Sequence, residues 1–380
     1  MKIAVLTTDN REVFRDYSAP SPYFGTAPEA LLQGFARIPE AEIHVISGTR
    51  KPVKSPEKLA PNVWFHSLFV PRIGWTPTMF QGCVRETRRK LKAIKPDIVH
   101  GQGTERDCAL SAVFSGFPNV LTIHGNMRLI AKVNRAGMLS FLWMAAQLEK
   151  FTLPRSDGIV CITRYTEAAV KDLARKTWVT PNAVDVSFFE VEREPDPAKI
   201  ILCVGGITYR KNQNAFIKSL DALAAAEKFK LVFLGAGAES DPYTVEFQEL
   251  VAARPWCEFA GFAARPELKN WLKRASIVAL PSLEDNCPMV VLEAMAAGVP
   301  VLAANVGGVP DLVDDGRTGL FCDPLDPASM SAGVRRLLAD PGLARRMAIA
   351  AQQEARTRFH PLAVARAHME IYQQVLKARA

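Results

Sequence analysis

Short apolar runs alternate along the chain with amphipathic stretches of about ten to fifteen residues, the pattern of strands and helices taken in turn. The strands expected in the first half are Lys2–Thr7, Glu42–Ser47, Val63–Val70, Asp97–His100, Val120–Ile123 and Gly158–Ile162. Those expected in the second half are Ile200–Gly205, Lys230–Gly235, Cys257–Ala260, Ile277–Leu280 and Val299–Ala303. Each set restarts the same βα alternation, so the fold class is α/β, with two doubly wound parallel-sheet domains at residues 1–180 and 198–361. Residues 181–197, with Pro195-Asp-Pro197, nearby acids and no sustained period, are the expected linker. Three helical stretches, Ser329–Asp340, Leu343–Phe359 and Leu362–Lys377, close the chain.

Composition agrees with two cores. The 380 residues exceed what one core usually supports, and 48% hydrophobic with 23% charged residues excludes a disordered or collagenous chain. No stretch approaches the roughly 18 uninterrupted apolar residues of a membrane span. The opening Met1-Lys-Ile-Ala-Val-Leu-Thr-Thr8 turns polar too soon for a signal peptide, so a cytoplasmic protein is expected. The seven cysteines stand singly without a C-x-x-C, the histidines form no H-x-x-x-H, and no D-x-D occurs. No metal and no other cofactor is expected.

The net charge of +8 sits wholly in residues 1–190, which hold 25 Lys/Arg against 17 Asp/Glu; residues 191–380 are balanced at 22 against 22. A basic run, Arg85, Arg88, Arg89, Lys90, Lys92 and Lys95, lies on the expected helix Gln81–Ile94. It reads either as a solvated helix face or as a contact for anionic lipid headgroups or an anionic acceptor. Nucleic acid is not an expected partner, because the run lacks interleaved aromatics and no binding motif accompanies it.

Ligands of open α/β sheets bind outside the carboxyl ends of the strands, so the residues just past each strand carry the candidate chemistry. Gly25, before the expected helix Glu29–Arg37, lets backbone amides approach an anion or simply makes a turn. His100 and His124 each end a strand and precede a glycine. Glu105 and Arg106 follow the first; Asn126 and Arg128 follow the second directly, which makes His124 the stronger candidate. In the second half Gly205-Gly206 leads to Arg210 and Lys211, adjacent cations suited to a diphosphate. Gly235 and Gly237 open a partial dinucleotide fingerprint, but Ser240 takes the third glycine's place. The strand before residue 281 leads to Glu284 and Asp285, after which Asn286-Cys-Pro-Met289 opens a helix carrying Glu293. Carboxylates accept bonds from hydroxyls and repel phosphates, so acids for hydroxyls beside cations for a diphosphate describe a nucleotide-sugar site. Glu293 among apolar residues would otherwise be a half-buried charge without purpose.

The motifs Pro181-Asn-Ala-Val-Asp185, Gly205-Gly-Ile-Thr-Tyr-Arg-Lys211, Leu292-Glu-Ala-Met-Ala-Ala-Gly298, Gly307-Gly308 and Asp315-Gly-Arg-Thr-Gly-Leu-Phe-Cys-Asp-Pro324 follow one another in order. In this the chain resembles the retaining glycosyltransferases of glycosyltransferase family 4, which have the GT-B fold. The likeness is strongest over residues 178–325 and weaker elsewhere. It implies two Rossmann-like domains facing a cleft, with helix 362–380 crossing back to the first. The reaction it implies moves a sugar from a nucleoside-diphosphate donor, a UDP- or GDP-sugar, to an acceptor hydroxyl of a glycan or glycolipid. By the same likeness Arg210 and Lys211 hold the diphosphate, Glu293 the ribose, and Asp285 or Glu284 the transferred sugar. His124 lies near the reacting sugar, giving a catalytic set of His124, Arg210, Lys211 and Asp285. Gly25, Gly205, Gly206, Gly235, Gly237, Glu284, Asn286, Cys287, Pro288, Met289 and Glu293 bind the donor. His100, Glu105, Arg106, Asn126 and Arg128 then fall to the acceptor. Two departures stand out: Gly206, where many relatives carry arginine, and Thr26, where they carry a second glycine. The alternatives are a nucleotide-sugar 2-epimerase of the same fold and a non-catalytic glycan- or lipid-binding protein.

Overall fold

A computed structural model describes residues 1–379. The chain divides into two compact units: Met1–Ala183 together with the stretch beginning at Pro361, and Val184–His360.

The first unit is built on strands β1 (Lys2–Leu6), β2 (Glu42–Thr49), β3 (Lys58–Ala60), β4 (Val63–Phe69), β5 (Ile98–Gln102), β6 (Asn119–Ile123), β7 (Gly158–Cys161) and β8 (Thr177–Val179). Their order is β3-β4-β2-β1-β5-β6-β7-β8, parallel throughout except for β3 against β4. The central strands read as continuous apolar runs because helices cover both faces. Alternate residues of β1 divide between two cores: Ile3 and Val5 join Phe35, Ile43 and Tyr372 on one face, while Ala4 and Leu6 join Val99, Leu121 and Ile159 on the other. The chain runs outward from β1 through β2 and β4, then returns to β5, so the order reverses between β1 and β5. The loops after these two strands therefore frame a crevice.

The C-terminal helix, Pro361–Arg379, belongs to this unit and packs along helix Thr26–Phe35. The approach is closest at Gly34, where a Cβ would stand 2.0 Å from the carbonyl oxygen of Pro361, so no other residue fits without moving the helix.

The second unit holds β9 (Ile200–Val204), β10 (Lys230–Leu234), β11 (Cys257–Gly261), β12 (Ala275–Leu280), β13 (Val301–Ala304) and β14 (Leu320–Cys322), all parallel in the order β11-β10-β9-β12-β13-β14. Ile200 and Leu202 face one core, Ile201 and Cys203 the other. Here the reversal lies between β9 and β12. Two of the late helices, Pro327–Ala339 and Pro341–Arg358, start where a proline follows an aspartate. Asp326 caps the amide of Ala328 and Asp340 that of Leu343, while proline supplies a fixed φ where its missing N–H costs nothing.

Two expectations differ from the structure. The strands β3, β8 and β14 were not anticipated; each is three residues long, too short to show a period. The stretch 181–197 is not a free linker. Val186–Glu190 forms a 3-10 turn that buries Phe188 and Phe189 in the core of the second unit. Beyond it the amides of Glu194 and Asp196 bond the carbonyls of Lys273 and Arg274 at 2.9 Å. The segment is stapled to its own unit by hydrogen bonds that its sequence does not advertise.

Candidate functional site

In the second unit the two loops that frame the reversal carry the charged candidates. Past β9, Tyr209–Lys211 makes a 3-10 turn, and its Arg210 carbonyl accepts from the amide of Leu283, past β12, at 2.8 Å. This bond lines up the side chains. Arg210 Nη1 donates to the carbonyl of Glu284 at 2.8 Å and lies 3.5 Å from its Oε2. Lys211 Nζ donates to Asp285 Oδ2 at 2.5 Å. Arg210 and Glu284 are about half exposed, whereas Lys211 and Asp285 are largely buried. The Asp285 carbonyl accepts from Gly308 at 2.9 Å, which brings the Gly307-Gly308 loop onto the same place. Gly205 and Gly235 close β9 and β10 side by side; a Cβ on Gly235, whose φ is 153°, would stand 2.0 Å from the Gly205 carbonyl. The next residue, Gly206, is under no such constraint, since a Cβ there would meet nothing nearer than 3.6 Å.

Glu293 lies on helix Met289–Ala296, whose first turn has no side-chain cap. Only 5% of it is exposed; its backbone carbonyl accepts from the amide of Ala297 at 2.9 Å, while its carboxylate has no hydrogen bond among the described residues. Burial pushes its carboxyl up to about 7, with the Arg265 guanidinium pulling down and the Asp185 carboxylate pushing up. Arg265 and Asp185 are themselves paired at 3.1 Å. The charged groups that act on Glu293 are Asp185 and Arg265, from segments far away in sequence.

In the first unit His124 ends β6, half-buried, and its Nε2 lies 2.8 Å from Gln102 Oε1 on β5. Burial holds the imidazole down at about 4, against a hydrogen bond with Asn182 that pulls it up, so the ring is neutral at ordinary pH.

Residues 186–354 match the family described as "Glycosyl transferases group 1", and residues 29–188 the one described as "Glycosyltransferase Family 4". The glycogen synthase of Mycobacterium tuberculosis is 29% identical over 322 residues, covering 79% of this chain and 75% of that protein. Sucrose-phosphate synthase from Thermosynechococcus elongatus superposes with a TM-score of 0.76 at 20% identity over the full length of both chains. Anabaena HepE in complex with UDP-glucose gives 0.71 at 16% identity, covering 98% of this chain and 100% of that one. The chain is a GT-B glycosyltransferase.

Within this glycosyltransferase the second unit brings Arg210, Lys211, Glu284 and Asp285 into one cluster. Gly25 stands at the start of helix Thr26–Phe35 in the first unit. The residues assigned to the acceptor fare differently. His100 is corrected: it is fully buried inside the glycosyltransferase, with both ring nitrogens bonded internally. Asn126 caps helix Met127–Val133 by accepting from Leu129 at 2.7 Å. Arg128 reaches Asp172 at 3.3 Å and donates to the Ala169 carbonyl. Even so, Asn126 Nδ2 and Arg128 Nε are buried without a hydrogen-bond partner among the described residues. Glu105 folds back over Gly103 and accepts amides of its own loop, and the Arg106 guanidinium rests 5.5 Å from the centre of the Trp75 ring.

Sequence reasoning missed Glu149. It is fully buried on helix Phe141–Thr152 and accepts from Thr104 Oγ1 at 2.9 Å, from the amide of Met127 at 2.9 Å and from that of Arg128 at 3.2 Å. One carboxylate thus ties the loop after β5 to the loop after β6, where His124 sits. An acid amid Ala145-Ala-Gln-Leu-Glu-Lys-Phe151 was the available signal, of the same kind that picked out Glu293.

Proposed function

We propose that this protein is a retaining, metal-independent glycosyltransferase of family 4 that moves a hexosyl group from a UDP- or GDP-sugar to a hydroxyl of a glycan or glycolipid. The observation that carries the reading is the cluster at the reversal of the second sheet. Two cations stand there on two carboxylates, one largely buried, in a unit that also holds the unbonded carboxylate of Glu293. A diphosphate displaces the carboxylates as partner of Arg210 and Lys211, since a doubly charged group with several acceptor oxygens competes well for both. Asp285, released from Lys211, then accepts from a sugar hydroxyl, and Glu293 accepts from the ribose.

When the glycosidic bond breaks, negative charge collects on the leaving diphosphate, and Arg210 and Lys211 stabilise it without rearranging. No residue is required as a covalent nucleophile; the protein's part is to position the acceptor hydroxyl and to hold the departing charge. In the first unit His124 contributes a neutral imidazole. Uridine is the first base to test, because HepE is described with UDP-glucose.

Calorimetric titration with UDP, GDP, ADP and NAD, repeated on Lys211→Ala, tests class and base together. One nucleoside diphosphate binding, and binding less well to the variant, is the expected result; NAD binding alone would sink the reading. Retention is checked by the anomeric proton coupling of the product, and metal independence by unchanged turnover in EDTA.

A second reading concerns attachment to an anionic membrane. An apolar groove of about 580 Å³, lined by Met79, Leu110, Phe114, Leu148 and Phe151, is rimmed by Lys150 and Arg155. Gln81 also lines it, and from Gln81 the exposed stripe Arg85, Arg88, Lys92 runs along one face of helix Gln81–Ile94. No helix among the described residues is long and apolar enough to cross a membrane. Sedimentation with phosphatidylglycerol vesicles at low salt, lost in the double variant Phe114→Ser, Phe151→Ser, is the expected outcome; absence of sedimentation by the unaltered protein refutes it.

A further inference from the structure

The buried polar chain behind His124 determines more than its position. Tyr372, on the C-terminal helix, is fully buried, and its hydroxyl has one hydrogen-bond partner among the described residues, His100 Nδ1 at 2.6 Å. A buried phenol must donate, so the proton points to His100 and Nδ1 is the bare nitrogen. Burial depresses the His100 pKa far below its usual value, so the ring is neutral and its one proton lies on Nε2. That proton goes to Thr122 Oγ1 at 2.7 Å.

With both ring nitrogens engaged, His100 has no further N–H to offer. The Gln102 amide nearest it lies 3.1 and 3.3 Å from the two nitrogens. An amide oxygen turned that way would meet a ring whose one N–H is already given to Thr122, whereas an NH₂ group there is tolerated as a weak donor to the ring. The amide therefore faces His100 with nitrogen and His124 with oxygen. An oxygen 2.8 Å from His124 Nε2 accepts, so that nitrogen carries the proton.

We propose that Gln102 is a positioning residue that holds His124 as the Nε2–H tautomer, and that Tyr372 and His100 fix the sense of the Gln102 amide. The inference rests on the reading that His124 acts in glycosyl transfer. Its consequence is that the other ring nitrogen of His124 carries no proton and is a hydrogen-bond acceptor, and that the neutral ring does not serve as a general acid. Of the groups that face it, Gln102, Asn182 and the neutral His368 are not carboxylates, and the Asn182 hydrogen bond, which favours the imidazolium, is outweighed by burial.

Proton–nitrogen correlation NMR of the ¹⁵N-histidine-labelled protein reads the tautomer directly. The expected spectrum shows His124 with Nε2–H between pH 6 and 8 and no titration there. An Nδ1–H ring, or a midpoint near 6.5, overturns the proposal. Gln102→Glu keeps the shape and puts a charge beside the ring. It should raise the His124 midpoint by about one unit or more and give turnover a new acid limb at that same midpoint. Gln102→Leu should lower kcat on the order of 10–100-fold with the donor KM little changed, because a misdirected ring costs orientation rather than binding. If Gln102→Leu alters the tautomer yet keeps full kcat, the positioning role is refuted. His124→Ala assayed alongside then tells whether His124 itself is dispensable, which is the failure of the underlying reading and not of the tautomer.

Discussion

Two glutamates buried in the two units look alike in sequence, each an acid within an apolar helix, and their surroundings are opposite. Glu149, in the first unit, has a hydroxyl and two backbone amides on its oxygens. Glu293, in the second, has none. Both carboxyls are pushed up by burial, Glu293 to about 7. A buried carboxylate whose acceptor capacity is used by its own chain is part of the framework. One whose capacity is unused is a cost the fold bears for a ligand. The same difference separates the neutral, internally bonded network around His124 from the ion pairs of Arg210 and Lys211, which an incoming anion can exchange.

The largest expected effect comes from removing the framework acid. Glu149→Leu leaves Thr104, Met127 and Arg128 without their acceptor and should destabilise the first unit by about 3–5 kcal/mol, read by urea unfolding. A loss under 1 kcal/mol would erase the contrast with Glu293. Next in size, Lys211→Ala should lower turnover on the order of 10²–10³ with the fold retained, as for loss of a charge-stabilising donor. Full activity would remove Lys211 from the mechanism.

Glu293→Gln should weaken nucleoside-diphosphate binding by about 10–100-fold, the worth of a hydrogen bond to a charged acceptor, while stability at pH 8 stays level or rises. Equal loss of both would make Glu293 a framework residue like Glu149. The smallest effect is on pH dependence. The Glu293 carboxyl has a folded-state pKa of about 7 against 4.5 unfolded, so the folded state binds the extra proton and stability falls as pH rises through that window. Between pH 6 and 8 the fall due to this group is about 1 kcal/mol, and Glu293→Gln should flatten it.

Much of the charged cluster of the second unit was legible in the sequence. Arg210, Lys211, Glu284 and Asp285 follow strands, and a strand end at a sheet reversal is where charged side chains meet ligands. The polar residues of the first unit were harder to read. His100 and His124 occupy equivalent places after apolar runs, yet one lies inside a core and the other at its edge. Asn126 and Arg128 directly follow His124 but turn to a helix cap and to Asp172. The segment 181–197 reads as a linker because Phe188 and Phe189 are too few to set a period, though two buried rings are enough to anchor it.

The sequence by itself determined the strands longer than three residues, the two-unit α/β architecture and the chemical types waiting past β9 and β12. These are local properties, since a period of two or of 3.6 is written in neighbouring residues. Only the tertiary structure decided which polar groups are already bonded. Tyr372 reaches His100 from 272 residues away, and Glu149 meets Thr104 from 45 away. Whether a donor or acceptor is free for substrate depends on partners that chain crossings deliver, and no stretch of neighbouring residues records them.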